Sequence, residues 1–200
     1  MNLLEHLRKE TASAHERVEQ AFDLEARTNS MSAYCELLER FYAFHTAWEP
    51  LVEAALDDQG VFRPRRKIEL LKQDLHALGI MDRDLPQLAV GLRVPPIRSS
   101  PEAFGSMYVV EGSTLGGRII ARTVERRLGF DRCRGCSYFR CYGDAVGHMW
   151  RSFQAAILTS CQPEDEDAVI LSAKRTFSTL HEFLCVDRSA LESKIGDSQQ

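Results

Sequence analysis

The sequence has no long hydrophobic run and no excess of basic residues. No stretch approaches the roughly 18 consecutive apolar residues that a membrane-spanning helix needs. The amino terminus alternates charged and apolar residues and has no apolar core long enough for a signal peptide, so we expect a cytoplasmic protein. Lysine and arginine number 25 against 29 aspartates and glutamates; the net charge of −4 disfavours a nucleic acid as the main partner.

Cysteine is present, but not in the arrangement that a zinc site or a disulfide framework needs. Of the six cysteines, Cys133 and Cys136 have the two-residue spacing of a zinc knuckle, and Cys141 follows nearby. A second pair at regular spacing is missing, and without a secretion signal disulfides are disfavoured. We interpret the cysteines as reduced thiols, with a metal site as the minor alternative.

An alternating strand pattern is absent as well, and the periodicity is helical nearly throughout. In the first segment one apolar stripe comprises Leu4, Leu7, Thr11, Ala14, Val18 and Phe22. Further helices are predicted at 31–57, 65–78, 82–91, 101–128, 142–160 and 164–186. The predicted fold class is all-α, a compact multi-helix domain over residues 1–188 followed by a disordered tail at 189–200.

Helix-capping and helix-breaking residues support these bounds. A cap for the second helix is offered by Asn29-Ser30, and Pro50 bends that helix or divides it. The third helix has Pro64 in its first turn and Gly79 after its end. In the same way, Ser100-Pro101-Glu102 opens the long helix, with Ser100 as its cap, and Gly129 closes it about 40 Å further on.

The stretch YVVEGSTLGGRII at residues 108–120 of the long helix contains three glycines within six residues. Each costs roughly 0.5–1 kcal/mol relative to alanine, so this helix gives up stability. Because residues four apart share a helix face, Tyr108, Gly112 and Gly116 lie in one row, flanked by Ser113 and Gly117. Such a surface lets a flat ligand approach the backbone, and the glycines allow the helix to bend. Close helix packing over small residues is the alternative.

A second candidate group lies on the first helix. His15 falls on the apolar stripe, Glu19 is one turn later, and Arg8 is two turns earlier on the same face. A carboxylate that fixes one imidazole nitrogen leaves the other free to bind a metal, and an arginine can meet a carboxylate. The remaining histidines are interpreted as ordinary core or interface residues: His6, His45, His76, His148 and His181.

The two helices together indicate one kind of ligand. It is flat, carries a metal that accepts a nitrogen ligand on one side, presents carboxylates, and needs close backbone approach on its other side. Haem meets all four requirements, and histidine is a common axial ligand of its iron.

At these motifs the sequence resembles the haem oxygenase family. LLEHLRKETASAHERVEQ is similar to the family's proximal helix and YVVEGSTLGGRII to its distal helix, while YFRCYGDAVGHMWRSF resembles bacterial members that make biliverdin for bacterial phytochromes. The similarity covers roughly residues 3–185. It implies a haem-oxygenase-like fold in which haem b lies between the proximal helix and a kinked distal helix.

The resemblance also assigns roles to particular residues. It makes His15 the proximal ligand of the haem iron and Glu19 the acid that partners it. Arg8 and Tyr108 fall on residues that meet haem propionates. The positions that lie over the haem are Gly112, Ser113, Gly116 and Gly117. Ser113 stands where mammalian members carry an aspartate that organises water, which leaves open the group that does so here.

Three further arginines, Arg118, Arg140 and Arg151, are candidates for propionate or network contacts that no motif fixes.

By resemblance haem is both cofactor and substrate, and the products are biliverdin, carbon monoxide and ferrous iron, with the alpha isomer favoured. No dinucleotide-binding fingerprint is present, so an external ferredoxin or flavoprotein reductase is expected. A basic docking patch for it is possible around Arg122, Arg126 and Arg127, and a solvated charged face is the alternative.

Three other functions stay open at this point. A haem-binding sensor, storage or transfer protein would use the same His15 and glycines without degrading haem. A di-iron helical oxidase is disfavoured, because none of the six histidines has an acid three residues before it. A purely helical interaction module would not bind haem and would leave the glycines to packing alone.

Overall fold

The structure is a computed structural model that describes residues 2–88, 93–130 and 135–185. Within these ranges the chain forms helices and turns and no β-strand, which confirms the all-α prediction. The α-helices are α1 (Leu3–Ala21), α2 (Leu24–Arg27), α3 (Met31–Ala55), α4 (Gln59–Phe62), α5 (Ile68–Ala77), α6 (Leu85–Leu88), α7 (Ser100–Leu128), α8 (Val146–Ser160) and α9 (Glu166–Cys185). None of these helices is long and apolar enough to cross a membrane. The predicted tail lies outside the described residues.

Local capping accounts for several helix ends. The Asn2 side chain accepts a hydrogen bond from the Glu5 N–H at 2.9 Å, and the Asn2 N–H donates to the Glu5 carboxylate at 3.0 Å, which begins α1 with a capping box. Ser30 caps α3 as predicted, accepting from the Ala33 N–H at 3.1 Å. Gly129 ends α7 as predicted, with a left-handed φ of 72° that favours glycine.

The start of α5 differs from the prediction. Pro64 lies in a separate 3₁₀ turn (Arg63–Arg65), and the α-helix begins only at Ile68. Glu49 of α3 caps this start: its Oε1 accepts hydrogen bonds from the N–H groups of Lys67 at 2.7 Å and Ile68 at 3.2 Å. The prediction from Pro64 was wrong because a carboxylate distant in sequence, rather than the proline, fixes the first turn.

Three smaller differences concern α3, α6 and α7. The N-cap of α7 is Ser99, whose backbone is extended, and not Ser100, which is already helical. Pro50 does not divide α3, since the helix continues on both sides of it with Trp48 and Val52 fully packed. Of the short helix predicted at 82–91, four residues are helical as α6, and 89–91 lie outside the described residues.

The crossing of α7 and α9 lies at the centre of the core. A Cβ atom added at Gly105 would be only 2.0 Å from the Val169 carbonyl oxygen, so the two backbones are in direct contact. Beside it, the buried Ser106 hydroxyl is 2.7 Å from both the Trp48 Nε1 and the Thr176 Oγ1. Small residues thus allow close approach of the two helices, and a hydrogen bond fixes α3 against them.

The first helix is positioned by α9. Leu7 is fully buried, while polar pairs join the edges of the two helices. His6 contacts Glu166, and Lys174 donates to the Glu10 carboxylate at 2.6 Å. The direction of α1, and therefore of every side chain on it, is set by these contacts with α9.

Buried polar contacts hold the segment at 135–142, which leads from α7 to α8. Both carboxylate oxygens of Asp74 accept backbone hydrogen bonds, from the N–H groups of Ser137 and Tyr138, each at 2.8 Å. The Tyr34 hydroxyl donates to the Gly135 carbonyl at 2.6 Å. This segment therefore has a fixed backbone against which α7 packs.

His45 is a core residue of α3, as predicted. Its Nδ1 is 3.1 Å from the Glu49 Oε1, and its Nε2 is 3.2 Å from the Tyr138 hydroxyl. The pairing assigns the proton to Nδ1, with Nε2 as an acceptor. Burial lowers the pKa of His45, and the neighbouring Glu49 opposes that effect only in part.

We predict that His45 makes the stability of the folded protein depend on pH. Because its folded-state pKa lies below the unfolded value of about 6.5, the stabilisation that the neutral, buried imidazole provides is complete above that pH. This stabilisation is lost as the pH falls below 6.5. The loss is at most about 1.4 kcal/mol of unfolding free energy per pH unit. Urea unfolding between pH 7.5 and 5.5 should therefore show a shallower pH dependence for His45→Gln than for the wild type. The exposed His148, changed to Gln, is the control; equal slopes for all three proteins contradict the prediction.

Candidate functional site

The predicted ligand His15 lies on the outward side of α1. Its side chain is 57% exposed and lies beside the stripe whose buried members are Leu7, Thr11 and Ala14. Successive helical residues are rotated by about 100°, so position 15 falls at the edge of the stripe rather than within it. The imidazole is accessible to a ligand.

One nitrogen of the His15 imidazole faces a carboxylate, and the other faces no protein group in the described part of the chain. Its Nδ1 is 3.5 Å from the Glu19 Oε2, an ion-pair distance rather than a short hydrogen bond, and both side chains are exposed. The Phe177 ring of α9 meets the imidazole edge-on, with ring centroids 5.8 Å apart. The Nε2 has no partner among the described residues, so it is the nitrogen that can bind a metal.

The second half of α7 carries an exposed apolar surface. Leu115 is 47% exposed and Ile119 is 63% exposed, so two large apolar side chains one helical turn apart face solvent. Helical spacing puts both on the same face as Gly112 and Gly116. We call these four residues the open face of α7.

The three glycines of the motif have different surroundings. A Cβ at Gly117 would be 2.6 Å from the Phe139 carbonyl oxygen, so close packing requires glycine there. A Cβ at Gly112 would be 3.7 Å from the Trp150 ring, an ordinary contact. A Cβ at Gly116 would meet nothing within 4 Å. Packing therefore explains Gly117, as the alternative interpretation expected, and does not explain Gly116.

Ser113 is exposed beside the open face. Its hydroxyl donates to the Val110 carbonyl at 2.7 Å, within the helix. In this rotamer the hydroxyl hydrogen is used, while the oxygen lone pairs can still accept a hydrogen bond from water or a ligand.

Tyr108 joins the two candidate helices. It is half-buried, and its ring centroid lies 5.6 Å from that of Trp150. Burial raises the pKa of the Tyr108 hydroxyl, and the nearby Arg8 charge and Thr11 hydroxyl act in the opposite direction. The row of α1 that carries Arg8 and the row of α7 that carries the glycines therefore meet at Tyr108.

The three arginines considered as further contacts differ in their partners. Arg140 forms a two-pronged pair with Glu125, at 2.6 and 2.7 Å, and is held by it. Arg118 lies 3.3 Å from the fully exposed Asp144. Arg151 is exposed on α8. Of these, Arg140 is the least accessible to a ligand, because its guanidinium is already paired.

In the suggested basic patch of Arg122, Arg126 and Arg127, one arginine is already paired within the protein. Arg127 donates to the Glu25 carboxylate and carbonyl, at 3.2 and 3.3 Å, and to the Thr28 hydroxyl at 3.3 Å, which ties α7 to α2. Arg122 and Arg126 are exposed, and neither has a partner among the described residues.

Cysteine does not contribute an evident site in the described part of the chain. No group of three or more His, Cys, Asp or Glu side chains there is arranged to hold a metal ion. Cys133 lies outside the described residues. The buried Cys136 lies 3.7 Å from the Tyr34 hydroxyl, and burial raises the pKa of its thiol to about 11.

Four residues at the site were not identified from the sequence. Leu115 and Ile119 share the helical spacing of the glycines, so the same face argument could have found them. Trp150 and Phe177 could not have been found, because they come from α8 and α9 and only the packing of those helices brings them to the site.

This arrangement suits a flat ligand that carries a metal. An exposed imidazole with a free nitrogen, a bare stretch of helix backbone, and an arginine and a tyrosine between them supply an axial ligand, a close-approach surface and anchors for carboxylates. The residues present therefore fit haem.

Comparison with known proteins identifies a family over nearly the whole chain. The family model described as heme oxygenase matches residues 1–185. A heme oxygenase of Xanthomonas campestris is 35% identical over 125 residues, which covers 62% of this chain and 70% of that protein.

Solved structures show the same fold. The NO- and CO-bound heme oxygenase of Neisseria meningitidis has a TM-score of 0.72 at 20% identity, covering 94% of each chain. Heme oxygenase 2 of Chlamydomonas reinhardtii, solved without heme, has a TM-score of 0.75 at 18% identity over 92% of this chain and 96% of that one.

We predict opposite effects of alanine at two adjacent glycines in the haem-free protein. Gly117→Ala should lower the unfolding free energy by about 1–3 kcal/mol, because its Cβ would overlap the Phe139 carbonyl. Gly116→Ala should raise it by about 0.5–1 kcal/mol, because helix propensity improves and no atom is displaced. Urea denaturation of both variants checks this, and a destabilised Gly116→Ala would mean that packing also explains this glycine.

Proposed function

Because the chain belongs to the haem oxygenase family, whose members are haem-degrading monooxygenases, we propose that it cleaves haem b to biliverdin, carbon monoxide and ferrous iron. The single observation that carries the assignment to this site is Gly116: it costs the helix stability, and a Cβ added there would meet no atom of a neighbouring element within 4 Å. A surface kept bare without a packing reason is expected to be in contact with a ligand.

His15 is proposed as the axial ligand of haem. Its free Nε2 would bind the iron, and Glu19 would hold the Nδ1 proton and so fix the tautomer and the ring plane. The edge of Phe177 restricts rotation of the imidazole from the other side. These contacts support an imidazole held in one orientation.

Arg8 and Tyr108 are proposed to anchor the haem propionates. A guanidinium binds a carboxylate strongly, and the Tyr108 hydroxyl can donate to a second oxygen. Since burial raises the pKa of Tyr108, the phenol stays protonated and remains a donor. Anchors at one end of the site would fix the rotation of haem about its axis and thereby the product isomer.

Bound haem supplies the iron at which dioxygen is reduced and the porphyrin edge that is oxidised. The open face of α7 is proposed to cover that side of haem. Gly112 and Gly116 would leave room close to the backbone, while Leu115 and Ile119 would exclude bulk water. The Ser113 oxygen is available as an acceptor for an ordered water. Gly117 would act indirectly, by letting α7 approach Phe139.

Electrons are proposed to come from a separate ferredoxin or flavoprotein reductase. Arg122 and Arg126 continue from the open face toward the end of α7 and are free of partners in the described part of the chain, which supports them as contacts for an acidic donor. Supply of bilin chromophore to a bacterial phytochrome is proposed from the sequence resemblance of residues 138–153 alone.

The function is tested by the absorption spectrum of the protein with one equivalent of hemin, followed under air after a reductant is added. We expect the wild type to lose its Soret band and form a red-absorbing biliverdin band, even with catalase present. His15→Ala should bind hemin at least about tenfold more weakly, a loss of roughly 1.4 kcal/mol, because the axial bond is gone. The exposed His148→Ala is the matched control and should behave as the wild type.

Other outcomes would identify other functions. A sharp Soret band that persists in the wild type after reduction would indicate haem binding without degradation with that donor. A spectrum that does not shift when hemin is added would contradict both functions and leave a helical protein that does not bind haem.

A further inference from the structure

The residues of α7 that form the open face are weak helix formers, so they do not hold the helix backbone rigid by themselves. Glycine weakens the helix at Gly112, Gly116 and Gly117. Between them, the hydroxyls of Ser113 and Thr114 donate to carbonyls three residues back, at 2.7 and 2.6 Å, which competes with the regular helix bonds. The position of this segment must therefore come from contacts elsewhere on α7.

Those contacts come from Glu111, the residue immediately before Gly112. Its side chain is only 2% exposed. The Lys67 Nζ lies 3.2 Å from its Oε1, and the Tyr142 hydroxyl lies 2.9 Å from each carboxylate oxygen. The Arg65 Nε lies 3.2 Å from its Oε2, a charge contact without good hydrogen-bond alignment. We call Arg65, Lys67, Glu111 and Tyr142 the Glu111 cluster.

The partners of Glu111 are themselves held by other parts of the fold. The Lys67 Nζ also donates to the Arg65 carbonyl at 2.7 Å and the Tyr142 hydroxyl at 2.6 Å, and the Lys67 N–H donates to Glu49 of α3 at 2.7 Å. Arg65 donates to the Met149 carbonyl of α8 at 3.2 Å. The cluster therefore ties α7 to α3, to the start of α5 and to α8 at one point.

The cluster is also balanced in charge. Arg65 and Lys67 carry two positive charges, and Glu111 and the nearby Glu49 carry two negative ones, all buried. Burial raises the pKa of Tyr142, so its hydroxyl remains a hydrogen-bond donor. Neutralising one buried partner leaves the others uncompensated, which is far more costly than breaking a surface pair.

Glu111 also lies where the surroundings of α7 change. Nearly every α7 residue from Ala103 to Glu111 is buried, whereas Leu115, Gly116 and Ile119 beyond it are exposed. Resting on the haem-degrading function proposed above, we propose that Glu111 is a positioning residue: its buried cluster holds α7 at the flank of the open face and sets the distance of the bare glycine backbone from haem. Its carboxylate acts through the backbone and does not itself reach the open face.

The test measures amide hydrogen exchange of the haem-free protein over residues 112–118. Glu111→Gln keeps the shape of the side chain and removes its charge; we expect exchange there to become at least about tenfold faster. Tyr142→Phe removes one hydroxyl and no charge, and should give a smaller increase in the same amides. If Glu111→Gln does not fold, the exchange rates of Tyr142→Phe alone decide the test.

Glu125→Gln is the matched control. Glu125 lies on the same helix as Glu111, about 21 Å further along at 1.5 Å per residue. It pairs with Arg140 of the segment at 135–142. Its loss should leave exchange at 112–118 within about twofold of the wild type. With hemin and reductant, the Glu111 and Tyr142 variants should yield a changed ratio of biliverdin isomers, and Glu125→Gln an unchanged one.

The two hypotheses fail in different ways. Unchanged exchange in both the Glu111 and the Tyr142 variant, or equal acceleration in the Glu125 control, overturns the positioning role whether or not haem is degraded. Faster exchange with a wild type that makes no biliverdin overturns the proposed function and leaves α7 positioned by Glu111. Faster exchange with an unchanged isomer ratio overturns the claim that this position governs the approach to haem.

Discussion

One helix, α7, has to satisfy two opposite demands, and the rest of the fold is arranged around them. Over its first three turns it is packed on almost every side, with its backbone against α9 at Gly105. Over its second half it is packed on one side only, because its other side has to stay bare. A helix with glycines in that half cannot hold its own position, so the neighbouring elements must hold it.

Two kinds of contact do so. Gly117 lets α7 approach the Phe139 carbonyl, and the segment that carries Phe139 is fixed by Asp74 through the N–H groups of Ser137 and Tyr138. At a second point, immediately before Gly112, Glu111 enters a buried, charge-balanced cluster. The contrast with His15 is instructive: the supporting charges are buried and paired, whereas the proposed ligand residue is exposed and has one free nitrogen. Burial separates the groups that support the structure from the groups available to a ligand.

Much of the fold follows from the sequence because helix signals act locally. The apolar stripe of α1, the Ser30 cap and the glycine that ends α7 depend on neighbours within about one helical turn, and each was predicted correctly. The short helices α2 and α4 were not predicted, because four residues give too few turns for a periodic pattern. The start of α5 was predicted wrongly, because its cap is Glu49, eighteen residues away on another helix.

The sequence by itself determined the all-α class, the row of Arg8, His15 and Glu19, and the glycine row of α7, since these depend only on helical spacing and residue type. The motifs also carried the resemblance to the family. Tertiary structure decided which glycine packs and which stays bare, because that depends on whether Phe139 or open space lies beside the backbone. It also decided that Glu111, one more acid in the sequence, is buried among two cations and a phenol. Burial and charge pairing are properties of contacts between distant segments, and helical periodicity carries no information about them.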